Sequence, residues 1–237
     1  MNCHNPKALF RRFLFGSDSM MATSRLIKPD YTSNHARGPA TLPTMSRHAL
    51  VIGGTGMLRD ACLDLVSQGW TVSAVARQHA GLASLRQDAA ARSGRADALN
   101  PIPVDYSDIA SLAMGIRSAA IAKGPFSLVV CWIHATAPMA PYVIADVVAS
   151  AAAPCLYVHL VGCEVADPTR TDSDRDELSS YPGITYRRAI LGFVVESGVS
   201  RWLTHREICN GVAAAVGNSD REQVIGVVTP WESHPPF

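Results

Sequence analysis

The stretch HALVIGGTGMLRD, residues 48–60, decides the fold. It opens on a short apolar run that ends in two glycines. Apolar residues then recur at Leu58, Ala61, Cys62, Leu65 and Val66, and Gly69 closes the series. A short apolar run bounded by glycine reads as a buried strand, and apolar residues three and four apart read as one face of a helix. A strand, a glycine turn and a helix in that order can cradle a phosphate. Glycine permits positive φ and lets backbone approach a ligand closely. The helix N-terminus adds free N–H groups and the positive end of its dipole.

The rest of the chain repeats the alternation. Strands are predicted at 48–54, 70–76, within 101–108, and at 126–133, 155–162, 184–194 and 223–231. Helices are predicted at 57–68, 81–98, 109–122 and 141–153, and from the capping box Thr204–Glu207 to 216. Residues 164–183 read as a polar loop with one turn of helix near Asp176. Strands alternating with helices imply a parallel sheet covered on both faces, an α/β Rossmann-type, doubly wound single domain over 45–237. Residues 1–44 show little periodicity and read as a disordered N-terminal extension, with Met45 a natural start and a targeting peptide the alternative.

Composition narrows the function classes. The 237 residues are 48% hydrophobic, enough for one real core. Residues 1–44 hold six basic residues against two acidic ones, so the remainder is mildly acidic and offers no basic face for nucleic acid. No apolar run is long enough to span a membrane. The six cysteines form no CxxC pair, so no metal site or disulfide framework is expected, and a reducing cytoplasm fits best.

Gly53, Gly54, Thr55, Gly56, Met57 and Leu58 are therefore the candidate contacts for a dinucleotide pyrophosphate. NAD sites usually place an acid at the end of the second strand, whereas an arginine there suits the 2′-phosphate of NADP. This chain reads SAVARQ, with Arg77 and no acid, which favours NADP(H) over NAD(H).

Four landmarks in order resemble the short-chain dehydrogenase/reductase superfamily over residues 47–233. GGTGML resembles its atypical glycine motif, as in GATGFIG. ARQ is similar to its NADP-type strand ending. VDYSD resembles its D-V-T-D stretch, which implies Asp105 and Tyr106 near the adenine. VVCWIHATAP stands in the place of N-N-A-G, which implies Trp132, Ile133 and His134 beside the nicotinamide ribose. SRWLTHREICNGV resembles a late helix of the superfamily. The overall pattern is similar to small bacterial proteins of this short-chain type. The resemblance implies an NADP(H)-dependent oxidoreductase acting on a small carbonyl or alcohol, and no particular oligomer.

The superfamily's Tyr-x-x-x-Lys is absent. None of the six tyrosines has a lysine four residues on, and the only lysines are Lys7, Lys28 and Lys123. The interval that should hold the catalytic helix is too short for it, and Gly162 and Cys163 stand near the place of the catalytic serine. His134 is the replacement candidate for general acid/base work, since its ordinary pKa lies near 6.5; ordering of its loop or contact with the cofactor ribose is the other reading. Thr136, Cys163 with Glu164, and Tyr186 or Arg187 are placed within reach of a nicotinamide. His159 reads as structural, and Trp132 and Trp202 as pocket walls or core. A non-catalytic NADP(H)-binding sensor or partner-binding protein is the alternative function.

Overall fold

The computed structural model describes residues 47–166 and 174–235. The extension call on residues 1–44 lies outside them. Seven strands form one parallel sheet: β1 (His48–Ile52), β2 (Thr71–Ala76), β3 (Leu99–Pro103), β4 (Leu128–Trp132), β5 (Cys155–Gly162), β6 (Ile184–Leu191) and β9 (Glu222–Ile225). Their order is β3-β2-β1-β4-β5-β6-β9. The chain reverses direction across the sheet at β1 and β4, the switch point where open α/β sheets bind ligands beyond the strands' carboxyl ends.

Helices α1 (Arg59–Ser67), α2 (His79–Ser93) and α6 (His205–Gly217) share one face, with α1 packed against both others. Helices α3 (Ile109–Lys123) and α4 (Ala140–Ala149) pack together. All five residues of β1 are buried, as are Val129, Val130 and Cys131 of β4. A central parallel strand has helices over both faces, so it reads as continuous apolar sequence rather than alternating.

Several boundaries differ from expectation, each for a local reason. Helix α1 starts at Arg59, because the glycine turn continues through Leu58. Helix α2 stops at Ser93, where Gly94 takes the left-handed conformation at φ 68. The strand expected over 184–194 is broken at Gly192. The backbone of Val227 packs so closely there that a Cβ would collide with its carbonyl, and β7 (Phe193–Glu196) begins directly after. It turns at Ser197 and Gly198, both at positive φ, and pairs antiparallel with β8 (Val199–Trp202). The last strand is shorter than expected; beyond it Val227 bridges Phe193 of the hairpin. Between β5 and β6 the described residues hold a 3-10 turn (Cys163–Ala166) and the six-residue helix α5 (Asp174–Ser179).

Candidate functional site

The glycine turn is built from two sides. The N–H groups of Gly53 and Gly54 both donate to the Val75 carbonyl, at 3.0 and 3.3 Å, which ties the turn to β2. Gly53 has φ 86 and lies against Trp132, the last residue of β4. Gly54 is needed for packing: a Cβ there would sit 3.0 Å from Cys62 Sγ and 3.1 Å from the Ala74 Cβ. At Gly56 a Cβ would meet only the Gly53 carbonyl oxygen, at 3.8 Å, so that side of the turn is open. The N–H groups of Thr55, Met57 and Leu58 meet no acceptor among the described residues. No side chain caps α1 at Leu58. Three unspent amide donors at a helix start, with open space above a glycine, fit the pyrophosphate of a dinucleotide.

The cofactor candidates fall at the carboxyl exits of four neighbouring strands, β1 to β4. Arg77 leaves β2 with its side chain 74% exposed, 3.9 Å from Asp105 beyond β3. Asp105 accepts from the Ser107 N–H at 2.9 Å and its hydroxyl at 2.7 Å, and these bonds hold its carboxyl below the usual aspartate range. Tyr106 Oη accepts from the His134 N–H at 3.4 Å, which joins the exits of β3 and β4. The His134 carbonyl accepts from Ala137, so this segment is itself a turn. Its imidazole and Thr136 are exposed, and Ile133 is half-buried.

Several placements correct the sequence reading. Leu58 is wholly buried, so only its backbone faces the turn. Arg59, which follows the turn, pairs with Asp88 and donates to Ser84 on α2. Tyr186 and Arg187 belong to the amino-terminal half of β6, away from the strand's carboxyl end. Tyr186 Oη bonds His159 Nδ1 at 3.0 Å, and the Arg187 guanidinium donates to the carbonyls of Ala215, Val216 and Asn218 at the end of α6. Cys163 is buried, and burial raises its thiol, with Glu164 adding to the rise. The Glu164 carboxylate folds against Gly162, in space that a Cβ would fill.

Two sets of contacts include pairs far apart in sequence, which carry no local signal. Cys209 Sγ donates to the Met57 carbonyl at 3.1 Å across 152 residues of chain, and Cys62 Sγ donates to Gly54 at 3.8 Å. Trp202 at the end of β8 meets His234 edge-on at 6.0 Å, and Trp231 stacks on His234 at 5.3 Å. Among the described residues no His, Cys, Asp or Glu cluster could hold a metal, and no helix is long and apolar enough to cross a membrane.

The strand order, the turn after β1 and the helix pairing define an α/β Rossmann-type fold. No protein-family model and no curated protein matches the chain. Solved structures do match. A β-ketoacyl-[ACP] reductase from Bacteroides thetaiotaomicron is 14% identical with TM-score 0.60, over 76% of this chain and 96% of that one. A mutant actinorhodin polyketide ketoreductase with NADPH is 15% identical with TM-score 0.61, over 77% and 97%. A blue fluorescent protein from a metagenomic library, in complex with NADPH, is 16% identical with TM-score 0.59, over 76% and 96%. At these identities the likeness concerns the fold.

Proposed function

We propose that the chain is an NADP(H)-dependent oxidoreductase acting on a small carbonyl compound or alcohol. The reading rests on one observation above all: the unspent N–H groups of Thr55, Met57 and Leu58 at the switch point, flanked by a β2 exit that carries Arg77 and no acid. Two of the similar solved structures hold NADPH, which supports the choice of cofactor. Thr55, Met57 and Leu58 amides would hold the pyrophosphate, Arg77 the 2′-phosphate, and Asp105 and Tyr106 the adenosine side. Trp132, Ile133 and His134 would border the nicotinamide riboside. When bound, the cofactor supplies hydride chemistry. The chain must then handle one proton at the reacting oxygen. The exposed His134 imidazole is the group we assign to it, because an imidazole can both give and take a proton and this one follows the β4 exit.

NADPH titration followed by a carbonyl panel tests the reading. Wild type should bind NADPH more tightly than NADH, and Arg77→Glu should weaken NADPH about tenfold or more while changing NADH little, the scale of one charge-assisted bond. Equal loss for both cofactors sinks the Arg77 assignment. His134→Ala should keep NADPH binding and lower turnover by roughly a hundredfold or more, as loss of a general acid does. NADPH binding with no turnover of any panel member would leave a binding protein rather than an enzyme.

A further inference from the structure

We propose that two buried thiols, Cys62 and Cys209, are positioning residues that aim the amide donors of the glycine turn at the cofactor pyrophosphate. The inference rests on the cofactor reading above and adds residues to it.

Four of the turn's carbonyls are held in two different ways. The Gly53 carbonyl accepts from Gly56 at 3.2 Å and the Gly56 carbonyl from Arg59 at 3.0 Å, within the turn itself. The Gly54 and Met57 carbonyls instead accept from thiols: Cys62 of α1 and Cys209 of α6. A trans peptide is planar, with its N–H opposed to its C=O. Holding the Gly54 oxygen inward turns the Thr55 N–H outward. Holding the Met57 oxygen inward does the same for the Leu58 N–H. Those are two of the three donors left without an acceptor among the described residues.

The two sulfurs are fixed. Cys62 is 0% exposed and Cys209 5%. Burial raises both thiols, so each keeps the proton its carbonyl accepts. The space is matched as well, since a side chain at Gly54 would press on Cys62 Sγ. A thiol is a weak donor, so its contribution is orientation more than strength. Orientation matters here because an aimed dipole costs no rearrangement when the anion arrives.

The test compares Cys62→Ser, Cys62→Val, Cys209→Ser and Cys209→Val with wild type, with Cys209→Ala in reserve should the valine variant not fold. Two probes are titrated: NADPH, which carries the pyrophosphate, and adenosine 2′-monophosphate, which does not. Serine keeps a donor and should hold NADPH affinity within about threefold. Valine removes the donor and should weaken NADPH by roughly tenfold or more, the scale of a hydrogen bond to a charged group, while adenosine 2′-monophosphate binds as before. General damage to the site would weaken both probes alike, and that result overturns the proposal. So does unchanged NADPH affinity in the valine or alanine variants, or failure of serine to rescue. A wild type that binds adenosine 2′-monophosphate but not NADPH, or neither, overturns the cofactor reading itself.

Discussion

At the scale of single residues, the most consequential polar group away from the site is His48, at the start of β1. Its Nδ1 bonds the Gly124 carbonyl at 2.7 Å, so that nitrogen carries the proton. Its Nε2 then accepts from the Ser73 hydroxyl at 2.8 Å, and Asn100 donates to the same hydroxyl oxygen at 3.0 Å. One proton arrangement satisfies every member, and it requires neutral imidazole. Burial pushes the His48 pKa down, outweighing the Gly124 bond that raises it; Lys123 lowers it further. A histidine with a depressed folded pKa lends stability that is complete above its unfolded value near 6.5 and is lost as pH falls through the folded value. The melting temperature should therefore drop between pH 7 and pH 5, and drop less steeply in His48→Gln. Parallel pH slopes for the two proteins would show that His48 does not carry the effect. Gly54 makes a second residue-scale case. Gly54→Ala presses a methyl onto Cys62 and Ala74 and should cost about 1–3 kcal/mol, the usual penalty for overpacking, read from urea midpoints.

At the scale of elements, the β7–β8 hairpin shows what the sequence disclosed and what it concealed. The parallel core was legible because β1, β4 and β5 are apolar runs bounded by turn residues, and their βαβ alternation admits few topologies. The positions of Gly53, Arg77, Asp105 and His134 were legible because each follows a strand's carboxyl end, whereas Tyr186 and Arg187 fall inside β6. The hairpin was not read. VVESGVSRW carries a two-residue Ser-Gly turn between short apolar strands, a recognised hairpin signal, but the apolar residues on either side of Gly192 read as one strand. The backbone that crowds Gly192 at the break is that of Val227, far away in sequence. The thiol contacts were hidden for the same reason, since Cys209 and Met57 meet only through the packing of α6 on α1. Once formed, the hairpin is tied to α6 by one cation. Arg201 donates to both Glu207 oxygens, at 2.9 and 3.0 Å, and to Glu196 at 2.6 Å. Glu207 also closes the capping box with Thr204. Arg201 first, then Thr204, lowers the Glu207 carboxyl to about 2. A depressed carboxylate lends stability above its ordinary value near 4.5 that is lost as pH falls through about 2. The melting-temperature gap between wild type and Glu207→Gln should thus narrow as pH drops from about 5 to 2. A gap that stays constant over that range means the ion pair does not stabilise the joint.

At the scale of the whole molecule, the proposed cofactor contacts lie at the carboxyl ends of β1 to β4, while several polar pairs lie within the body. The pairs His48–Ser73 and Tyr186–His159 satisfy buried polar groups within the body, and the half-buried Arg187 bonds the end of α6. The unspent donors gather at the turn beyond β1. That division has a thermodynamic consequence. The donors of Thr55, Met57 and Leu58 are held together only while β1, β2, α1 and α6 are docked, so the unfolded chain offers a dinucleotide nothing comparable. A ligand that binds only the folded state stabilises it by an amount fixed by its concentration relative to Kd, about 2.7 kcal/mol at a hundredfold excess. NADPH at a hundred times its measured Kd should raise the unfolding free energy by about that amount. NADH at the same concentration should raise it less, because it lacks the phosphate that Arg77 would meet. Equal stabilisation by both cofactors would place the binding energy in the shared pyrophosphate and leave Arg77 without a selective role. No stabilisation by either would mean that the turn's open amides serve another anion.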